Sequence, residues 1–126
     1  MFVMKQTIVV VEDEKPIRDM YTWKLKAEGF KVFNADNGQV GIQVIEEVKP
    51  DLILLDIRMP IMNGDDMLEK LRATGWGSSI RVIILTNLSK DEAPHKLRLL
   101  SVDRYIVKAH STPEQVLSTI NSVLGI

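Results

Sequence analysis

Five short runs rich in branched apolar residues, separated by segments of helical periodicity, constrain the fold of this chain more than any other feature. The runs cover residues 7–11, 31–35, 52–56, 81–86 and 105–107. Three of them contain IVVV, LILL and VIIL, apolar without alternation. A strand with one solvated face alternates apolar and polar side chains, whereas a strand covered on both faces does not, so these three read as central parallel strands. Parallel neighbours need long crossovers, and helices usually supply them.

The intervening segments carry helix signals. Residues 14–28 place Ile17, Met20, Tyr21 and Leu25 at helical spacing, with Pro16 in the first turn and Gly29 as a stop. A capping-box pattern from Asp36 to Gln39 precedes Val40, Val44, Ile45 and Val48. Asn63 and Gly64 turn the chain into a third helix whose first residues, Asp65 and Asp66, suit a helix N-terminus. A fourth helix is expected after Ser89 or Asp91, with Pro94 in its first turn, and a fifth after Thr112, with Pro113 first and Gln115 as the capping partner. With 126 residues and no linker or repeat, residues 1–126 are read as one domain, an α/β three-layer sandwich with a five-stranded parallel sheet and five helices.

Composition narrows the function classes. There is no cysteine, so disulfides, thiolate catalysis and cysteine-ligated metals are excluded. The formal net charge of -1 is spread along the chain, which leaves no basic stripe for a phosphate backbone and argues against direct nucleic-acid binding. No apolar run reaches the roughly 20 residues that span a bilayer, and residues 1–7 lack a signal region, so a cytoplasmic protein is expected.

Ligands of open parallel sheets bind beyond the carboxyl ends of the strands. The first strand ends in Glu12, Asp13 and Glu14, the third in Asp56, the fourth in Thr86 and Asn87, and the fifth runs into Lys108. Clustered carboxylates repel one another, and a hard divalent cation such as Mg²⁺ relieves that repulsion with oxygen ligands. A carboxylate can attack phosphorus while a metal and an ammonium neutralise the transferred group, roles that suit Asp56 and Lys108. The Thr86 hydroxyl can donate to a phosphoryl oxygen present only after transfer. Taken singly, each of these residues would read as a cap, a surface lysine or a strand threonine.

The successive segments VVEDE, PDLILLDIRMPIMNG, VIILT and YIVK resemble, in order and over nearly the whole chain, the signatures of two-component response-regulator receiver domains. The resemblance implies a flavodoxin-like strand order, 2-1-3-4-5. It implies a phosphoacceptor at Asp56, Mg²⁺ held by Glu12, Asp13 and Asp56 with the backbone carbonyl of Arg58, and Lys108 paired with the phosphoryl group. Thr86 and Tyr105 would be coupled switch residues reporting to the face formed by the fourth helix, fifth strand and fifth helix. The implied partners are a histidine kinase or phosphotransfer protein, with Trp23 on the first helix as a candidate contact, and a downstream effector. A monomeric signalling switch without turnover of outside substrates is expected, and the Met1 start suggests a stand-alone regulator or the N-terminal part of a longer one. Ala109 stands where the family usually has a proline, and Asn87 where it has a small residue. Three other readings are a receiver-like interaction module that takes no phosphoryl group, a flavodoxin-like FMN protein, against which no phosphate-cradling Ser/Thr/Gly loop follows the first strand, and a haloacid-dehalogenase-like phosphatase. The last needs a second Asp two positions after the nucleophile, where Arg58 stands.

Overall fold

The computed structural model describes residues 6–126. Five parallel strands, β1 (Thr7–Val11), β2 (Lys31–Ala35), β3 (Leu52–Leu55), β4 (Arg81–Thr86) and β5 (Arg104–Val107), form one sheet in the order β2-β1-β3-β4-β5. This is the flavodoxin-like order. The α-helices are α1 (Lys15–Ala27), α2 (Gly38–Val48), α3 (Gly64–Arg72) and α4 (Pro113–Leu124). The expected lack of a leader and the Met1 start fall on residues 1–5, outside the described residues. Among the described residues no helix is long and apolar enough to cross a membrane.

The unbroken apolar runs divide by the two-residue period of a strand. Val9, Val11, Ile53, Leu55, Val82 and Ile84 face a core with Ile45 of α2 and Met67, Leu68 and Leu71 of α3. Their neighbours Ile8, Val10, Leu52, Leu54, Ile83 and Leu85 face a second core with Tyr21 and Leu25 of α1 and Val116 and Ile120 of α4. Each such side chain taken from water contributes about 1.5 to 3 kcal/mol, so both faces of the sheet must be covered. Register then aligns the strand ends: Val11 lies opposite Ala35 and Leu55, and Thr86 opposite Val107. The four chemically loaded turns open on one edge.

Among the described residues four α-helices form rather than five. Where a helix was expected after Ser89 or Asp91, two 3-10 turns stand, Lys90–Glu92 and His95–Leu99, with Asp91 inside the first of them. The break falls at Ala93, whose backbone is extended (φ -64°, ψ 142°). The residue before a proline is pushed out of the helical region by the proline ring, so Pro94 splits the segment instead of starting it. Ser89 caps the first turn, with Glu92 bonding back to its N–H. Lys96 ties the second turn to Asp65, Asp66 and Glu69 of α3. The helix expected fifth is α4, and its Thr112–Gln115 capping box forms. α2 is capped by Asn37, whose side chain accepts from the Val40 N–H at 2.9 Å, and not by Asp36. The Lys108–Ala109 peptide is trans, since no described peptide bond is cis.

Arg72, at the end of α3, joins three loop carbonyls. Nε donates to Leu100 O (2.8 Å), Nη1 to Gly77 O (2.8 Å) and Nη2 to Ser101 O (3.0 Å). Hydrogen bonds from a charged donor are stronger than neutral ones, although part of this guanidinium meets solvent. Arg72→Ala should therefore lower stability by about 1 to 3 kcal/mol in a denaturant titration, with partial recovery in Arg72→Lys. A loss below about 0.5 kcal/mol would mean that water satisfies the three carbonyls equally well.

Candidate functional site

Two backbone bonds carry the sheet one residue past its strands. Glu12 N donates to Ala35 O (3.0 Å) and Asp56 N to Val11 O (3.0 Å), which brings the first acid after β1 beside the acid after β3. The loop after Asp56 returns tightly, with Gly64 N donating to Ile57 O at 2.7 Å. A Cβ on Gly64 would overlap the Asp56 carbonyl, so only glycine permits this close approach.

At this edge carboxylate oxygens of Glu12, Asp13 and Asp56 lie within 4.8 Å of one another. Glu12 and Asp56 are 3% and 5% exposed, and Thr86 is 1% exposed. Lys108 Nζ reaches Glu12 Oε1 at 2.8 Å and Asp56 Oδ2 at 3.3 Å, while Asp56 Oδ1 accepts from Ile57 N at 2.7 Å. Lys108 thus acts as counter-ion to two of the three acids, and no cation of the described residues pairs with Asp13. A cluster of three carboxylates with a single ammonium beside it, one of the acids without a cationic partner, fits a divalent cation of the Mg²⁺ or Ca²⁺ kind.

Beside the cluster opens a recess of about 230 Å³, lined by Asp13, Asp56, Arg58, Thr86 and Asn87. Arg58 and Asn87 are exposed at its mouth. The Thr86 hydroxyl oxygen accepts a long bond from Leu88 N (3.4 Å), leaving its proton free to donate elsewhere. The Tyr105 hydroxyl donates to the carbonyls of Leu88 (2.9 Å) and Ser89 (3.2 Å), so one short loop joins Thr86 to Tyr105. The geometry brings together every residue expected at the site from its side chain, with Tyr105 attached through that loop. His95 and His110 stay exposed outside the acidic cluster. Sequence reasoning passed over Glu92, which also lines the recess, although the Ser89–Glu92 capping pattern could have placed it there. It also passed over Arg18, whose contacts have no sequence signal.

Burial pushes the Glu12 carboxyl up from 4.5 to about 7; the Lys108 hydrogen bond opposes this and the Asp56 charge reinforces it. Burial acts to lower Lys108, but its bond to Glu12 and the charge of Asp56 prevail and raise it. For Glu12 the sign is that of an acid raised by folding. Its contribution to stability is fully present below the unfolded value of 4.5 and is lost as pH rises through about 7. In EDTA the domain should lose about 1 to 3 kcal/mol between about pH 5 and pH 8, a component that Glu12→Gln removes. An identical pH profile in that variant would assign the loss to other groups.

A family profile described as the response regulator receiver domain matches residues 8–121. The chain is 36% identical over 121 residues to the phosphate regulon transcriptional regulatory protein PhoB of Pseudomonas aeruginosa, covering 94% of this chain and 52% of that protein. It therefore spans about half the length of that curated relative. A DNA-binding response regulator of the LuxR family from Staphylococcus aureus superposes with a TM-score of 0.84 at 30% identity, over 94% of this chain and 98% of that one. A CheY-like response regulator receiver domain protein from Methanospirillum hungatei gives 0.85 at 29% identity, over 98% of this chain and 95% of that one.

Proposed function

The chain belongs to the response regulator receiver domain family, and on that premise we propose that it takes a phosphoryl group onto Asp56 in a Mg²⁺-dependent transfer from a histidine kinase or phosphotransfer protein. The observation that carries this reading is the setting of the Asp56 carboxylate. One oxygen is fixed by the Ile57 N–H, the other lies 3.3 Å from the Lys108 ammonium, and the residue lines a recess that can receive a phosphoryl group.

In the transfer an Asp56 oxygen forms a bond to phosphorus as the bond from phosphorus to the donor's imidazole nitrogen breaks, and that nitrogen takes up a proton. Glu12, Asp13, Asp56 and the carbonyl of Arg58 would hold Mg²⁺, which supplies charge neutralisation for the phosphoryl oxygens. Lys108, 3.3 Å from Asp56 Oδ2, supplies further positive charge. The added group brings about two negative charges into the site, and the free Thr86 proton gains an acceptor that the unmodified site lacks. Drawing Thr86 inward pulls on the loop whose carbonyls hold the Tyr105 hydroxyl, so the ring on β5 and the segment 90–99 shift together. A downstream effector reads that face, and the domain acts as a monomeric switch, not by turnover of outside substrates. Trp23, 73% exposed on α1, is available to the phosphodonor.

Mass spectrometry of the intact chain after treatment with acetyl phosphate tests the reading. One added phosphoryl group, dependent on Mg²⁺ and lost in hydroxylamine, is expected. No uptake with or without Mg²⁺ would leave the alternative, a receiver-like module that works by binding alone.

A further inference from the structure

We propose that Arg18 is a positioning residue for the metal-binding turn, holding Glu12 and Asp13 in the one backbone arrangement that turns both carboxylates toward Asp56. The proposal rests on the reading of that cluster as the Mg²⁺ site. Arg18 lies one turn into α1, half-buried, and its Nη1 donates to two consecutive backbone carbonyls, Glu12 O at 2.9 Å and Asp13 O at 3.3 Å.

In an extended strand successive carbonyls point to opposite sides. A single donor can hold two of them only if the chain bends between them, so the Arg18 bonds specify the bend that ends β1. With both carbonyls drawn to the helix side, the two side chains are left to converge on Asp56, where their oxygens lie within 4.8 Å of its carboxylate. The arginine makes no ion pair with a carboxylate among the described residues, and its charge is spent on the carbonyls. Its own position is fixed from both ends. Arg18 N donates to Glu14 O (2.9 Å), and Arg18 O accepts from the Thr22 hydroxyl (2.7 Å), which itself accepts from Asn34 Nδ2 beside it (3.2 Å). The guanidinium also lends positive charge to the carbonyl side of a turn that carries two acids. Without it the turn still follows β1, but it samples arrangements in which Asp13 faces solvent, and a cation must select the competent one. The loss falls on apparent affinity and not on the transfer itself.

The test is Mg²⁺ binding to the unphosphorylated chain, read by competition with Mn²⁺ in electron paramagnetic resonance, alongside acetyl phosphate labelling as a function of Mg²⁺. Removing an outer partner of a metal ligand commonly weakens the metal by about 10- to 100-fold. Arg18→Ala should raise the Mg²⁺ concentration for half-saturation by about tenfold, with the labelling rate at saturating Mg²⁺ within about twofold of the parent. Arg18→Lys, with an ammonium able to hold one carbonyl, should recover part of the affinity. It also carries the test if the alanine variant does not fold. Unchanged Mg²⁺ affinity in a folded variant overturns the proposal, as does an equal fall in saturating rate and melting temperature with no change in half-saturation. If the parent binds Mn²⁺ and Mg²⁺ but takes no label, the phosphoryl reading fails while the positioning role stands on the binding curves alone.

Discussion

Asp56→Asn is expected to fold and to take up no phosphoryl group from acetyl phosphate at any Mg²⁺ concentration. The substitution preserves what the structure asks of the side chain except its charge. The amide oxygen can accept from Ile57 N as Asp56 Oδ1 does at 2.7 Å, and the backbone bond from position 56 to Val11 O is untouched. The amide nitrogen then faces Lys108 Nζ, now 3.3 Å from Asp56 Oδ2, and two donors meet there. Lys108 keeps its shorter bond to Glu12 at 2.8 Å, so the ammonium is not left buried without a partner. What disappears is the anionic oxygen that attacks phosphorus, and a neutral amide is no substitute for it. Intact mass should show label falling to background while the melting temperature in EDTA stays within a few degrees of the parent or rises. Full labelling of the variant would place the acceptor elsewhere; the other acids of the cluster, Glu12 and Asp13, would be next to examine.

The layers of this fold were legible because burial on both faces leaves a mark in the sequence. The runs IVVV, LILL and VIIL lack alternation for the reason that α1 and α4 cover one side of each strand and α2 and α3 the other. Helix starts marked by reciprocal side-chain bonds were also legible, as at Thr112 and Gln115. The strand order was not readable from pattern alone and came with the family resemblance. The missing helix shows how a local rule can be applied to the wrong residue. Pro94 suits a first helical turn, but the conformational cost falls on Ala93, and the turn begun at Ser89 cannot continue through it. The site was legible as a set of strand ends, because parallel register delivers Glu12, Asp56, Thr86 and Lys108 to one edge. The arginines that shape it were not. Arg18 and Arg72 act on backbone carbonyls, which carry no residue signature, and Arg72 reaches Leu100 and Ser101 across 28 and 29 positions of sequence.

Asp13→Asn should change stability in opposite directions with and without metal. In EDTA, Lys108 pairs with Glu12 and Asp56 but makes no ion pair with Asp13, whose carboxylate therefore adds repulsion that no cation of the described cluster offsets directly. Asparagine removes that charge and keeps an oxygen in place. Because Asp13 is half-exposed, water screens much of the repulsion, and the apo variant should gain on the order of 1 kcal/mol. Mg²⁺ reverses the comparison. A ligand that binds only the folded state stabilises it by about 1.4 kcal/mol at tenfold excess over its Kd, and by more as concentration rises. The parent chain should therefore melt higher with each increment of Mg²⁺, while the variant, short of one charged ligand, should hardly respond until concentrations about tenfold greater. The two melting curves should cross as Mg²⁺ is raised. Parallel curves with an unchanged Mg²⁺ response would remove Asp13 from the metal site. A lower melting temperature for the variant already in EDTA would show that the Asp13 carboxylate is supported by the turn that Arg18 holds, and that its charge is a stabilising part of the apo fold.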